Sequence, residues 1–128
     1  MNIKNFMVIH AVILIAYGIV MLLFPETVMT IFGMSGIATK AGLVNLQYLG
    51  ATWVGLFVML LLAKDIKEAA AQRVIMTGMF IVTILVGAVV LYASFAIPIN
   101  NLVWLNFIIC VLLTLGYGYF LFIKKGEA

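Results

Sequence analysis

Long stretches without charge alternate along the chain with short stretches where nearly all of the charge collects. Four apolar runs stand out: Phe6 to Phe24, Leu43 to Ala63, Val74 to Ala96 and Leu102 to Ile123. Each is about 20 residues, which at about 1.5 Å rise per residue matches a hydrocarbon layer of roughly 30 Å. Leu, Ile, Val, Phe and Met fill them without the two-residue alternation of a membrane barrel strand. Lipid offers no partner to open backbone groups, so such runs must be helical. The pattern predicts an all-α polytopic membrane protein, an antiparallel bundle of four transmembrane helices. Their predicted bounds are about 4–24, 43–63, 66–96 and 102–123, in a single domain over 1–128.

The connections carry their own signals. In FPETVMTIFG, Pro25 suits a first helical turn, Glu26 suits its positive end and Gly33 suits its stop. Val28, Met29, Ile31 and Phe32 would lay this short helix on the membrane interface. In KDIKEAAAQR, Asp65 and Glu68 stand at capping-box spacing before a run of alanines, which starts the third long helix there. In AIPINN, Pro98 ends that helix, and Asn100 and Asn101 favour a tight turn.

Composition agrees with this picture. The chain is 67% hydrophobic and 9% charged, with a mean hydropathy of +1.33, where a soluble domain is about half apolar and about a quarter charged. Lys4 precedes the first run as in a signal peptide. That run is long, however, and no small-x-small cleavage site follows before Pro25, so it is read as a retained helix. Of seven Lys and Arg residues, Lys4, Lys64, Lys67, Arg73, Lys124 and Lys125 fall on one side of the bundle and only Lys40 on the other. The positive-inside rule places both termini and the middle loop in the cytoplasm of a multi-pass cell-membrane protein. The net charge of +3 follows from that bias and is no nucleic-acid signal. Membrane lipids are the expected partners of the basic tail.

Candidate chemistry is sparse. No Asp, Glu, Lys or Arg falls in the centre of a run. His10, in the first helix, is either a proton relay or ligand hydrogen-bonder, or a structural imidazole bonded to Tyr117 or Thr77, or one reaching the headgroups. A single His and a single Cys, Cys110, on different helices do not make a metal site. No nucleophile–base arrangement, phosphate loop or cofactor motif is visible, so no cofactor and no catalytic residue is expected. Neutral polar groups remain. On the fourth helix Asn106, Cys110, Thr114 and Tyr117 share a face. In NLQYLGATWVG, on the second, Asn45, Tyr48, Thr52 and Gly55 share one face, while Gln47, Ala51 and Gly55 share another with Ala51/Gly55 as a small-xxx-small pair. These stripes lie at matching depth. They either glue helices together, with Tyr48, Trp53, Tyr92 and Trp104 as an interfacial belt, or line a polar cavity open to the outside. The candidate ligand-binding residues are Tyr17, Gln47, Thr52, Trp53, Asn106 and Cys110.

The stretches YGIVMLLFPETVMTIFG and NLQYLGATWVGLFVMLLLAKD resemble the DoxX-like group of small four-helix membrane proteins. In that group a Gly step and a Phe-Pro break end helix one, a short amphipathic helix follows, and helix two opens with Gly. The resemblance implies a four-helix bundle, with some members linked to quinone or thiol-redox metabolism and others serving as accessory subunits. Many relatives carry a charged residue near the start of helix two, where this chain has Asn45 and Gln47, so no activity is carried over. The expected function is a non-catalytic binding or accessory protein for a lipid-like or other apolar ligand. The alternatives are a homo-oligomeric transporter or channel subunit and a membrane enzyme acting on a lipid, sterol or quinone. Small multidrug exporters use an acidic residue in helix one, where this chain has only His10, and sterol-isomerase-like proteins need ionisable groups inside the bundle.

Overall fold

The computed structural model describes residues 2–124. Its helices are α1 (Ile3–Leu23), α2 (Pro25–Ile31), α3 (Lys40–Ala63), α4 (Ala69–Ala96) and α5 (Leu102–Gly118), with a 3₁₀ turn at Ser35–Ile37. The last helix continues through Tyr119–Ile123 in the wider π form, where the Lys124 N–H reaches the Tyr119 carbonyl. There is no strand among the described residues. α1, α3, α4 and α5 (counted through Ile123) are each long and apolar enough to cross a membrane. The fold is an all-α polytopic one. Lys125 lies outside the described residues.

Two helix starts differ from those expected. α3 begins at Lys40 because the Thr39 hydroxyl accepts the Gly42 N–H at 3.0 Å, a cap that satisfies a first-turn donor ahead of the apolar run. α4 begins at Ala69 rather than near residue 66, because the expected capping box does not form. Glu68 sits at the cap without a side-chain bond, and Asp65 turns instead to Lys64 and, at 3.7 Å, to Lys4. The short helix forms as the sequence indicates. Pro25 opens it, and Gly33 leaves it in the left-handed region at φ 73°.

α1 pairs with α3, and α4 pairs with α5. The first pair closes where Gly18 meets Gly50, since a Cβ on Gly50 would lie 2.6 Å from the Leu22 nitrogen and 2.8 Å from the Gly18 oxygen. Ala51 and Gly55, the pair expected to form a seam, both face outward, and nothing lies within 4 Å of a Cβ placed on Gly55. In the second pair the Thr114 hydroxyl donates to Thr83 at 3.0 Å, and the Thr83 hydroxyl donates to the Phe80 carbonyl.

The two pairs are joined unevenly. At the end carrying Lys4 and Lys64, the basic end, a dense core forms around Phe6, Met7, Leu60, Met79 and Tyr117. There the Phe6 ring lies against Gly116 and packs edge-on to Tyr117 with centroids 4.9 Å apart. At the far end, α4 has no buried residue beyond Gly87. Asn100 ties the pairs together there: its backbone N–H donates to the Phe32 carbonyl and its side-chain amide to the Ile31 carbonyl at 2.6 Å, capping the end of α2. Its side-chain oxygen accepts the Leu102 N–H, which starts α5.

Candidate ligand cavity

Between the tied ends the two pairs stand apart and enclose a cavity of about 400 Å³ lined by all four long helices. Its closed end is formed by buried His10, Leu14 and Leu113 near the basic core. Toward the far end the lining residues Leu49 of α3 and Leu85 and Val89 of α4 are themselves exposed. The cavity therefore opens sideways between α3 and α4, through a mouth of apolar side chains.

Polar groups on its wall are few and mostly paired. The Tyr17 hydroxyl donates to the Asn106 side-chain oxygen at 2.7 Å, linking α1 to α5. The Tyr17 ring lies 5.5 Å from that of Trp53, which brings in α3. His10 Nδ1 is 2.7 Å from the Tyr117 hydroxyl. Among the described residues His10 Nε2 has no hydrogen-bond partner, yet none of their side-chain nitrogens or oxygens is both fully enclosed and unpaired. A ring that is 3% exposed and lines the cavity therefore opens its second nitrogen onto that space. The Asn106 amide N–H₂ and the Trp53 indole N–H likewise have no partner among the described residues. A second hollow of about 320 Å³ lies beneath α2, against Val28, Ile31 and Phe32. It shares Tyr17, Met21 and Asn106 with the first, so the Tyr17–Asn106 bond stands in the partition between the two.

No family model, curated protein or solved structure matches the chain. The site has to be judged on its own geometry.

Of the residues singled out in the sequence, Tyr17, Trp53, Asn106 and Cys110 meet on one cavity wall, and His10 joins them. Gln47 does not line it; its amide donates to the Leu22 carbonyl at 3.2 Å and holds α3 to α1. Thr52 does not line it either. It faces outward and returns its hydroxyl to the Tyr48 carbonyl one turn back. Asn45 and Tyr48 share that outward face, so the first stripe of α3 points away from α5, not toward it. The α5 stripe divides: Asn106 and Tyr117 reach α1, whereas Thr114 reaches α4. Thr77, the other hydroxyl offered to His10, faces outward and bonds to the Arg73 carbonyl. The apolar wall contributed by Val82, Val86 and Val90 of α4 carries no polar signal in the sequence. Its one hint is the glycine at 87, where a Cβ would come within 3.3 Å of Cys110. Among the described residues no three His, Cys, Asp or Glu side chains converge to hold a metal ion.

Chemically, this site can exclude water, take up an apolar body and offer a few N–H groups to it. No Asp, Glu, Lys or Arg lines it, and an ion placed there would lose its hydration without compensation.

Proposed function

We propose that this chain is a non-catalytic binding or accessory protein of the cell membrane, of the DoxX-like type, which holds a lipid-like ligand between its helix pairs. The observation that carries the reading is the cavity of about 400 Å³ whose mouth lies between apolar side chains of two membrane-length helices. A pocket reached through Leu49 and Val89 is reached from the bilayer, where apolar molecules are already concentrated. Its size and mostly apolar wall with a few placed polar groups are those of small-molecule sites in general. The distribution of Lys and Arg puts the basic end in the cytoplasm, so the cavity lies toward the outer leaflet.

Thermal unfolding in detergent with a panel of neutral lipids and quinones tests this. A ligand at about 100 times its Kd stabilises the folded state by about 2.7 kcal/mol, a shift readily seen in the melting curve. Val86→Trp, which fills the cavity, should abolish the shift, while Thr52→Val, on the outward face, should leave it intact. If no lipid moves the melting curve of the wild type, or if Val86→Trp responds as the wild type does, the reading is wrong.

A further inference from the structure

The one histidine of the chain decides what chemistry the cavity accepts. Tyr117 is fully buried, and among the described residues His10 Nδ1 is the only partner of its hydroxyl. A phenol has one proton to give. Were Nδ1–H the donor in this pair, the Tyr117 proton would be enclosed with no acceptor, the costly arrangement for a buried polar group. The phenol therefore donates, Nδ1 accepts, and the imidazole proton resides on Nε2, the nitrogen that opens onto the cavity. His10 lies seven residues before Tyr17, about 10 Å deeper along α1 at 1.5 Å per residue.

Two further groups on the wall, the Asn106 amide and the Trp53 indole, also have hydrogens to give. The Asn106 side-chain oxygen already accepts from Tyr17, and its N–H₂ is free to donate. The Thr83 oxygen accepts from Thr114, and its proton goes to Phe80. The Trp53 indole is a donor only. One acceptor lone pair stays on each of the Asn106 and Thr83 oxygens and two on that of Tyr17, all three already engaged in a hydrogen bond, and the Cys110 sulfur is a weak acceptor. The closed end thus offers a hydrogen to its ligand and has no charge with which to meet an ion.

Building on the binding function proposed above, we propose that the cavity selects uncharged lipids bearing a carbonyl oxygen, an ester or ketone, and seats that oxygen against His10 Nε2–H at its closed end. An alkane fits the walls but leaves the donor unpaired. A carboxylate would accept the hydrogen bond, yet has to leave its hydration behind in an apolar site.

Three ligands of one chain length separate these cases: hexadecane, methyl palmitate and palmitate at a pH where it is ionised. Each is titrated against protein in nanodiscs that is otherwise wild type but carries Trp104→Phe, with the change in Trp53 emission wavelength and intensity as readout. Methyl palmitate is expected to bind about 10-fold tighter than hexadecane, the equivalent of about 1.4 kcal/mol and of one buried neutral hydrogen bond. Palmitate is expected to bind more weakly than either. His10→Leu should erase the advantage of the ester while hexadecane binding persists. A wild type that binds ester and alkane equally, or a His10→Leu protein that keeps the preference, overturns the proposal and leaves the cavity reading standing. If none of the three binds the wild type, both fall together. A second measurement needs no variant. In protein carrying ring-labelled histidine, nitrogen NMR reports a single imidazole, expected protonated at Nε2 and bare at Nδ1. Methyl palmitate should shift the Nε2 signal and hexadecane should not. A proton on Nδ1, or an Nε2 signal unmoved by bound ester, refutes the assignment.

Discussion

Two glycines five residues apart on α3 show how differently one substitution reads at two positions. A Cβ on Gly50 meets backbone atoms of Leu22 and Gly18, which cannot swing aside as a side chain can. Gly50→Ala should therefore cost at least the about 1–3 kcal/mol of an overpacked core. Gly55→Ala meets nothing within 4 Å and restricts an otherwise loose backbone. It should be neutral or stabilise by up to about 1 kcal/mol. Thermal melts of the two variants side by side check the contrast. The same scale explains why four of the six candidate ligand residues read from the sequence meet on the cavity wall and Gln47 and Thr52 do not. In water, a polar stripe on an apolar helix announces its solvent side. In lipid, a hydroxyl such as that of Thr52 satisfies itself on the carbonyl one turn back, so its polarity says nothing about direction. A side-chain amide or a phenol reaches further than the preceding turn, and Tyr17 and Asn106 found each other across helices. Thr52 misled because its chemistry is local.

Element boundaries follow a related logic. The four long helices were readable from their apolar runs, and α2 from Pro25, Glu26 and Gly33. What the sequence concealed was competition for side chains. Asp65 stands at the right spacing to cap α4, yet the Lys64 hydrogen bond, with Lys4 behind it, takes its carboxylate and holds its pKa below the usual 3.8. A depressed folded pKa means that the tie contributes above the unfolded value and is lost as pH falls through the folded one. Asp65→Asn should thus leave the melting temperature nearly unchanged at neutral pH, since this pair is exposed and screened. It should also flatten any acid sensitivity below about pH 4 that comes from this contact. At the other end, Asn100 serves four bonds at once. Asn100→Ala removes the two made by its side chain, at about 0.5–1.5 kcal/mol each. Faster hydrogen exchange at the amides of Phe32–Met34, with those of α1 unaffected, is the expected signature.

For the whole molecule, two tight helix pairs meet in a dense core at one end and, toward the other, through the Asn100 clasp and the Tyr17–Asn106 bond. The interior between them is reached from the side, past Leu85 and Val89. A bulky substitution there obstructs passage without touching the core. Val89→Trp, at a position already 65% exposed, should leave thermal stability unchanged and slow the exchange of a bound fluorescent lipid several-fold. Stopped-flow displacement measures that rate. Unaltered kinetics would mean that the ligand enters by another path.

The unequal packing of the two ends has a mechanical corollary. The end built on Met7, Leu60, Met79 and Tyr117 resists any change of girth, because close-packed interiors compress poorly. The end beyond Gly87 has slack. A ligand larger than the preformed cavity would widen the bundle at the loose end alone, and the occupied form would then be more wedge-shaped than the empty one. Occupancy of that kind would couple to bilayer bending. The protein's affinity for the same lipid should differ between small, strongly curved vesicles and large, flat ones, in the sense that favours the wedge where the leaflet at the loose end is stretched.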